Sequence, residues 1–200
     1  MPHADSSLLP DSIQTKAHFW AFVLLQLEGL LEGQRNWVTN LANASSLIYS
    51  SLQAFPRYFG KDESKAVNWC GFYIDAQFFP VPRNGAKSNG TGRLLLGPFC
   101  GKPACQFITV IPEKARGVCA DAFLQKRTLL VPEVDVYPGH IACDGDTKSE
   151  IVCPLFLREG DMEIGLGVLD LDCLAVNGFD EDDRQGLEKI AAYIVRACDW

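Results

Sequence analysis

The sequence predicts an α+β fold: a central antiparallel or mixed sheet, with the N- and C-terminal helices packed on one of its faces. Three observations predict it. Two apolar stripes at helical spacing open the chain, a series of short strands cut by turn signals fills its middle, and a third helical stripe behind an acidic cap closes it. The 200 residues show no internal repeat and no linker, so one domain over 16–200 is expected behind a flexible polar tail at 1–15.

In the first helix Trp20, Val23, Leu24, Leu27, Leu30 and Leu31 recur at helical spacing until Gly33 and Gln34 interrupt them. Trp37, Leu41, Ala44, Ile48 and Leu52 form a second stripe, and Phe55-Pro56 ends that helix because a residue before proline is driven out of the helical region. The run W-C-G-F-Y-I-D at 69–75 reads as an aromatic strand. Residues 79–93 are rich in Pro, Gly and Asn and read as a long mobile hairpin connection. Strands are expected at 94–97 and 106–111, a short helix at 117–125, and a further strand from 128 that Pro132 limits. The apolar runs 151–157 and 164–171 flank the turn R-E-G-D and should pair antiparallel. Asp180 caps the last helix, whose buried stripe is Leu187, Ile190, Ala191, Ile194, Val195 and Cys198.

A net charge of -7, with no run of Lys or Arg, argues against nucleic acid, because phosphate binding needs clustered cations. No apolar run is long enough to span a bilayer, and the N-terminus lacks the basic and apolar regions of a secretory leader. A cytoplasmic location is therefore expected, with reduced thiols and unused glycosylation patterns at Asn43 and Asn89. The eight cysteines are Cys70, Cys100, Cys105, Cys119, Cys143, Cys153, Cys173 and Cys198. None forms a C-x-x-C pair, which argues against a thioredoxin-like site or a zinc knuckle. His140 and Cys143 could share a metal, but no further ligands are visible beside them, so neither metal nor cofactor is expected. Cys70, Cys153, Cys173 and Cys198 sit in apolar runs and read as core.

The most informative stretch is 137–154, Y-P-G-H-I-A-C-D-G-D-T-K-S-E-I-V-C-P. A turn precedes a polar loop holding His140, Cys143, Asp144, Asp146 and Glu150, and a buried strand follows. A thiol among acids in a loop fixed at both ends suits chemistry; a solvated acidic loop with an incidental Cys fits this stretch equally well. Farther on, Asp170 and Asp172 alternate with Leu169 and Leu171, so the two acids should share one face of a strand.

Several motifs then coincide in order: N-W-C-G-F-Y at 68–73, L-G-P-F-C-G-K-P-A-C at 96–105, R-G-V-C at 116–119, G-H-I-A-C-D at 139–144, S-E-I-V at 149–152, G-V-L-D-L-D at 167–172 and G-F-D-E-D-D at 178–183. The ordered set closely resembles the free methionine-(R)-sulfoxide reductases, which are built on a GAF domain, and spans nearly the whole chain. Two loops depart from the family pattern, the insertion at 79–93 and a longer interval between Cys105 and Cys119.

The resemblance implies a single GAF-like catalytic domain that reduces free methionine-(R)-sulfoxide in a cytoplasmic response to oxidative stress. It implies Cys143 as nucleophile, Cys105 as resolving thiol with Cys119 as a third redox thiol (or the reverse), and Glu150, Asp170 and Asp172 as active-site acids. Trp69 and Tyr73 would wall the pocket, while Phe72 reads equally well as core. The implied partners are the free amino-acid sulfoxide and a thioredoxin-like dithiol, with a homodimer left open. The residue types suit the chemistry. Sulfoxide reduction needs a thiolate to attack sulfur and an acid to protonate the oxygen, and carboxylates crowded in one pocket favour holding a proton. Two other readings remain at this level: a non-catalytic GAF domain that binds a small ligand, and a thiol redox sensor with no small substrate.

Overall fold

The structure is a computed structural model and describes residues 9–62, 64–80, 92–141, 144–160 and 162–200. Its helices are α1 (Lys16–Leu31), α2 (Trp37–Gln53), α3 (Val118–Gln125) and α4 (Glu181–Ala197). Its strands are β1 (Val67–Asp75), β2 (Arg93–Gly101), β3 (Phe107–Thr109), β4 (Leu129–Val131), β5 (Ser149–Glu159) and β6 (Met162–Cys173). They form one six-stranded sheet in the order β3-β2-β1-β6-β5-β4, and every neighbouring pair is antiparallel. This is the expected α+β architecture, with the sheet resolved as antiparallel rather than mixed. Of the expected connection at 79–93, residues 81–91 lie outside the described residues.

Strand periodicity divides the sheet into two faces. On one face Cys70, Phe72 and Ile74 of β1, Ile151, Cys153 and Leu155 of β5, and Leu169, Leu171 and Cys173 of β6 pack against α1, α2 and α4. Phe72 and the four cysteines expected in the core all lie there. The other face carries Trp69, Tyr73, Val152 and Val168 beneath α3, in a smaller cluster that also takes in Leu129 and Val131 of β4. The face with one short helix is the one left room for a cavity.

Helix caps fix the register of the larger layer. Thr15 accepts from the His18 N–H and Asn36 from the Thr39 N–H, each satisfying a backbone donor that the helix cannot. At α4, Asp180 and Asp183 form a reciprocal capping box. Asp183 is fully buried, and its carboxylate also accepts from Lys16 Nζ at 2.5 Å and Trp20 Nε1 at 2.8 Å. These contacts tie the start of α4 to α1, a link across more than 160 residues of chain. Among the described residues no helix is long and apolar enough to cross a membrane.

Candidate active site

A cavity of about 240 Å³ opens on the α3 face of the sheet. Its floor is acidic. Glu150 lies opposite Asp172 across the β5–β6 ladder, and Val152 lies opposite Asp170, so the alternation of Leu169 and Leu171 with the two aspartates turns the acids to the cavity. Glu150 was expected in the loop before β5. It instead sits within β5, paired with Val131 on one side and Asp172 on the other. The strand reaches back to the polar Ser149-Glu150 because β6 pairs with both residues and β4 with Glu150, and the Ser149 hydroxyl donates to the Ala175 carbonyl at 2.6 Å.

The aromatic wall comes from β1. The Trp69 and Tyr73 rings stack at 5.9 Å between centroids, and Phe99 of β2 also stacks on Trp69, at 5.5 Å. Gly71 stands between the two wall residues. A Cβ there would lie 2.6 Å from the indole ring and 2.3 Å from Phe99 Cβ, so the wall needs glycine at that position. The Tyr73 hydroxyl donates to the Cys105 carbonyl at 3.1 Å and fixes the segment between β2 and β3 against the wall.

Cys119 enters from the first turn of α3. Its Sγ lies 3.2 Å from Asp170 Oδ2 and 3.8 Å from Glu150 Oε1. His140 Nε2 approaches the other Glu150 oxygen at 3.5 Å. The segment that delivers His140 is pinned to α3 by a hydrogen bond from the Tyr137 hydroxyl to Asp121, 2.7 Å long. At the rim, Asp144 accepts from Asn68 at 3.1 Å and from Lys102 at 3.2 Å. Lys102 also bridges to Asp146 at 2.9 Å.

These surroundings set the protonation states. Burial pushes the Glu150 carboxyl up to about 7, with His140 working downward and the Asp172 charge upward. Burial and then the Glu150 charge raise Asp170 well above the carboxylate range; burial and then Asp170 do the same to Asp172. Burial first, then the charges of Asp170 and Glu150, drive the Cys119 thiol far up, so it stands among the acids as a neutral S–H donor. Asp144 behaves oppositely. Burial works against its charge, but hydrogen bonds from the Asp146 N–H, Lys102 and Asn68 hold it below the usual value. The site can thus supply protons from its floor and keep a fixed negative charge at its rim.

Trp69, Tyr73, Cys105, Cys119, Glu150, Asp170 and Asp172 all line this one cavity. Cys143, the expected nucleophile, lies outside the described residues, as does Ala142. Ile141 and Asp144, on either side of that pair, both line the cavity. Sequence reasoning missed Asn68, Lys102, Thr147 and Tyr137. Asn68 and Lys102 stand inside recognised motifs, yet their contacts to Asp144 cross 76 and 42 residues and leave no local signal.

Two polar atoms at the cavity lack hydrogen-bond partners among the described residues: the Trp69 indole N–H and Asp170 Oδ1. Buried polar groups are normally paired, so an unpaired donor and acceptor beside one cavity suit a polar ligand.

The comparisons agree with the geometry. No family model matches the chain. A free methionine-R-sulfoxide reductase of Saccharomyces cerevisiae is 44% identical over 176 residues, covering 88% of this chain and 83% of the relative. A solved structure of a GAF domain superposes with a TM-score of 0.80 at 41% identity, over 100% of this chain and 98% of the other. The free methionine-R-sulfoxide reductase of Neisseria meningitidis, solved in complex with its substrate, superposes with a TM-score of 0.71 at 32% identity, over 96% and 95% of the two chains. The chain belongs to the free methionine-R-sulfoxide reductase family, oxidoreductases built on the GAF fold.

Proposed function

We propose that this protein reduces free L-methionine-(R)-sulfoxide to methionine, with Cys143 as the nucleophile. The observation that carries the reading is the floor of the cavity, where Glu150, Asp170 and Asp172 are held at raised pKa values beside the aromatic wall of Trp69 and Tyr73. Ile141 and Asp144 lining the cavity supports a role for the thiol between them.

The chemistry follows from these groups. The Cys143 thiolate attacks the sulfoxide sulfur while a protonated floor acid gives its proton to the oxygen. The S–O bond breaks, methionine leaves and Cys143 becomes a sulfenic acid. A resolving thiol then displaces water to form a disulfide, and a thioredoxin-like dithiol restores both cysteines at the cost of its own oxidation. Cys105 suits the resolving role better than Cys119. It is partly exposed at the cavity, whereas the buried Cys119 thiol is hydrogen-bonded to Asp170 and resists ionisation. The Trp69 and Tyr73 faces suit the methyl and thioether end of the substrate. The ionised fraction of the acids suits its ammonium group.

The test compares kcat/KM for the free R form, the free S form and the N-acetylated R form. Acetylation removes the ammonium and leaves buried acid without a cationic partner, a loss of about 1–3 kcal/mol or more. The S epimer cannot align sulfur with the nucleophile and oxygen with the acid while its amino-acid end stays anchored. Only the free R form should turn over well. Equal values for all three forms would overturn the assignment and leave an open, unselective thiol.

A further inference from the structure

We propose that Cys119, Glu150 and Asp170 form a reversible binding site for a thiophilic divalent cation of the zinc type, which occupies the cavity floor and shuts it to substrate. The three ligand atoms all lie within 4.8 Å of one another, with Sγ 3.2 Å from Asp170 Oδ2 and 3.8 Å from Glu150 Oε1. Zinc bonds of about 2.0–2.2 Å to oxygen and 2.3 Å to sulfur give tetrahedral edges of about 3.3–3.7 Å. The two sulfur–oxygen edges bracket that range and the carboxylate–carboxylate edge is at most 4.8 Å, so a cation can enter once those two side chains close on it. Asp170 supplies an independent sign: it is only 6% exposed, and its Oδ1 has no hydrogen-bond partner among the described residues beyond a proton that the Asp170 and Glu150 carboxyls can share. No Lys or Arg pairs with Glu150 or Asp170 among those residues, and His140, 3.5 Å from Glu150 Oε2, is the one basic side chain paired with the cluster there.

The donor set decides which cation. A thiolate with two carboxylates prefers zinc, cobalt or cadmium over magnesium and calcium, which want oxygen alone. His140, 3.5 Å from the second Glu150 oxygen, can orient that carboxylate from outside the first coordination sphere. With three protein ligands the fourth position stays open to an exchangeable molecule, which fits a reversible occupant better than a structural metal. Binding replaces the protons of the ligand groups with the ion, so the floor loses its proton donor as well as its space. That blockade rests on the reductase reading, while the binding of the cation does not.

The test is a titration of the reduced protein with Co2+, followed by the thiolate-to-cobalt charge-transfer band. A saturable 1:1 band is expected, one that Zn2+ removes and Mg2+ leaves. It should vanish in Cys119→Ala and persist in Cys105→Ser and Cys143→Ser. Asp170→Asn keeps the thiolate, so its band should survive with affinity at least about tenfold weaker. In turnover, Zn2+ should raise the apparent KM for the sulfoxide, and a chelator should reverse the effect. A missing band, or one that is lost with Cys105 or Cys143 instead of Cys119, overturns the site. Cobalt binding in a protein that reduces no sulfoxide would leave the metal site standing and remove the reductase reading; turnover without the band would do the reverse.

Discussion

Trp69 presents a buried indole N–H that no described residue satisfies, at the wall of a cavity whose floor is all acceptor or shared proton. A bound sulfoxide offers the acceptor it lacks. Trp69→Phe keeps an aromatic ring at the wall but removes that donor together with part of the indole's area, so kcat/KM should fall at least roughly tenfold, the lower range of one hydrogen bond to a strongly polar group. An unchanged kcat/KM would confine Trp69 to shape. Glu150 allows a second check at this scale. Its folded carboxyl titrates at about 7 against an ordinary 4.5, mainly through burial. A raised carboxyl stabilises the fold fully below its ordinary value, and that contribution is lost as pH rises through 7. Glu150→Gln cannot ionise. Its Tm should therefore gain on the parent protein as pH climbs from about 5 to 8, by about 2–4 °C for each kcal/mol released. A Tm difference that is flat with pH, read by circular dichroism, would show that Glu150 is not desolvated.

Elements carry the next set of constraints. Glycine in a helix normally costs about 1 kcal/mol relative to alanine, and Gly29 of α1 should follow that rule, since an added Cβ meets nothing within 4 Å. Gly186 of α4 should not. A Cβ there would lie 2.2 Å from Trp20 Cγ, where α1 and α4 cross. Gly29→Ala should raise stability by up to about 1 kcal/mol and Gly186→Ala should lower it by about 1–3 kcal/mol, both read from chemical denaturation. Much at this scale was legible in the sequence. Apolar periodicity located α1, α2 and α4, the turn R-E-G-D located the β5–β6 pairing, and the alternation in β6 placed Asp170 and Asp172 on one face. The start of β5 was not legible, because Ser149 and Glu150 look like loop until their two cross-strand partners are known. Nor was the role of Asp183, which reads as a first-turn acid but is buried against Lys16 and Trp20 of α1. Of the site, local motifs identified the wall and the floor acids, while Lys102, Asn68 and Tyr137 depend on long-range contacts that no local pattern records.

The whole molecule divides its work between the two faces of one sheet. The larger layer joins both ends of the chain through Lys16, which is nearly buried and pairs with Asp183 and Asp180. Lys16→Met leaves the Asp183 carboxylate buried without its cation and should cost about 3–5 kcal/mol, seen as a large fall in Tm. A fall below about 1 kcal/mol would show that the terminal layers are held by apolar packing alone. The smaller layer holds the acidic cavity, which we propose is where Cys143 takes the oxygen from free methionine-(R)-sulfoxide. The most direct test is a single turnover: the fully reduced protein, with no external reductant, is mixed with that sulfoxide, and released methionine is counted. Cys105→Ser should release about one methionine per chain and stop at the sulfenic acid, Cys198→Ser should behave like the parent protein, and Cys143→Ser should release none. Methionine released by Cys143→Ser at the parent level, or none from the parent protein itself, would contradict the account.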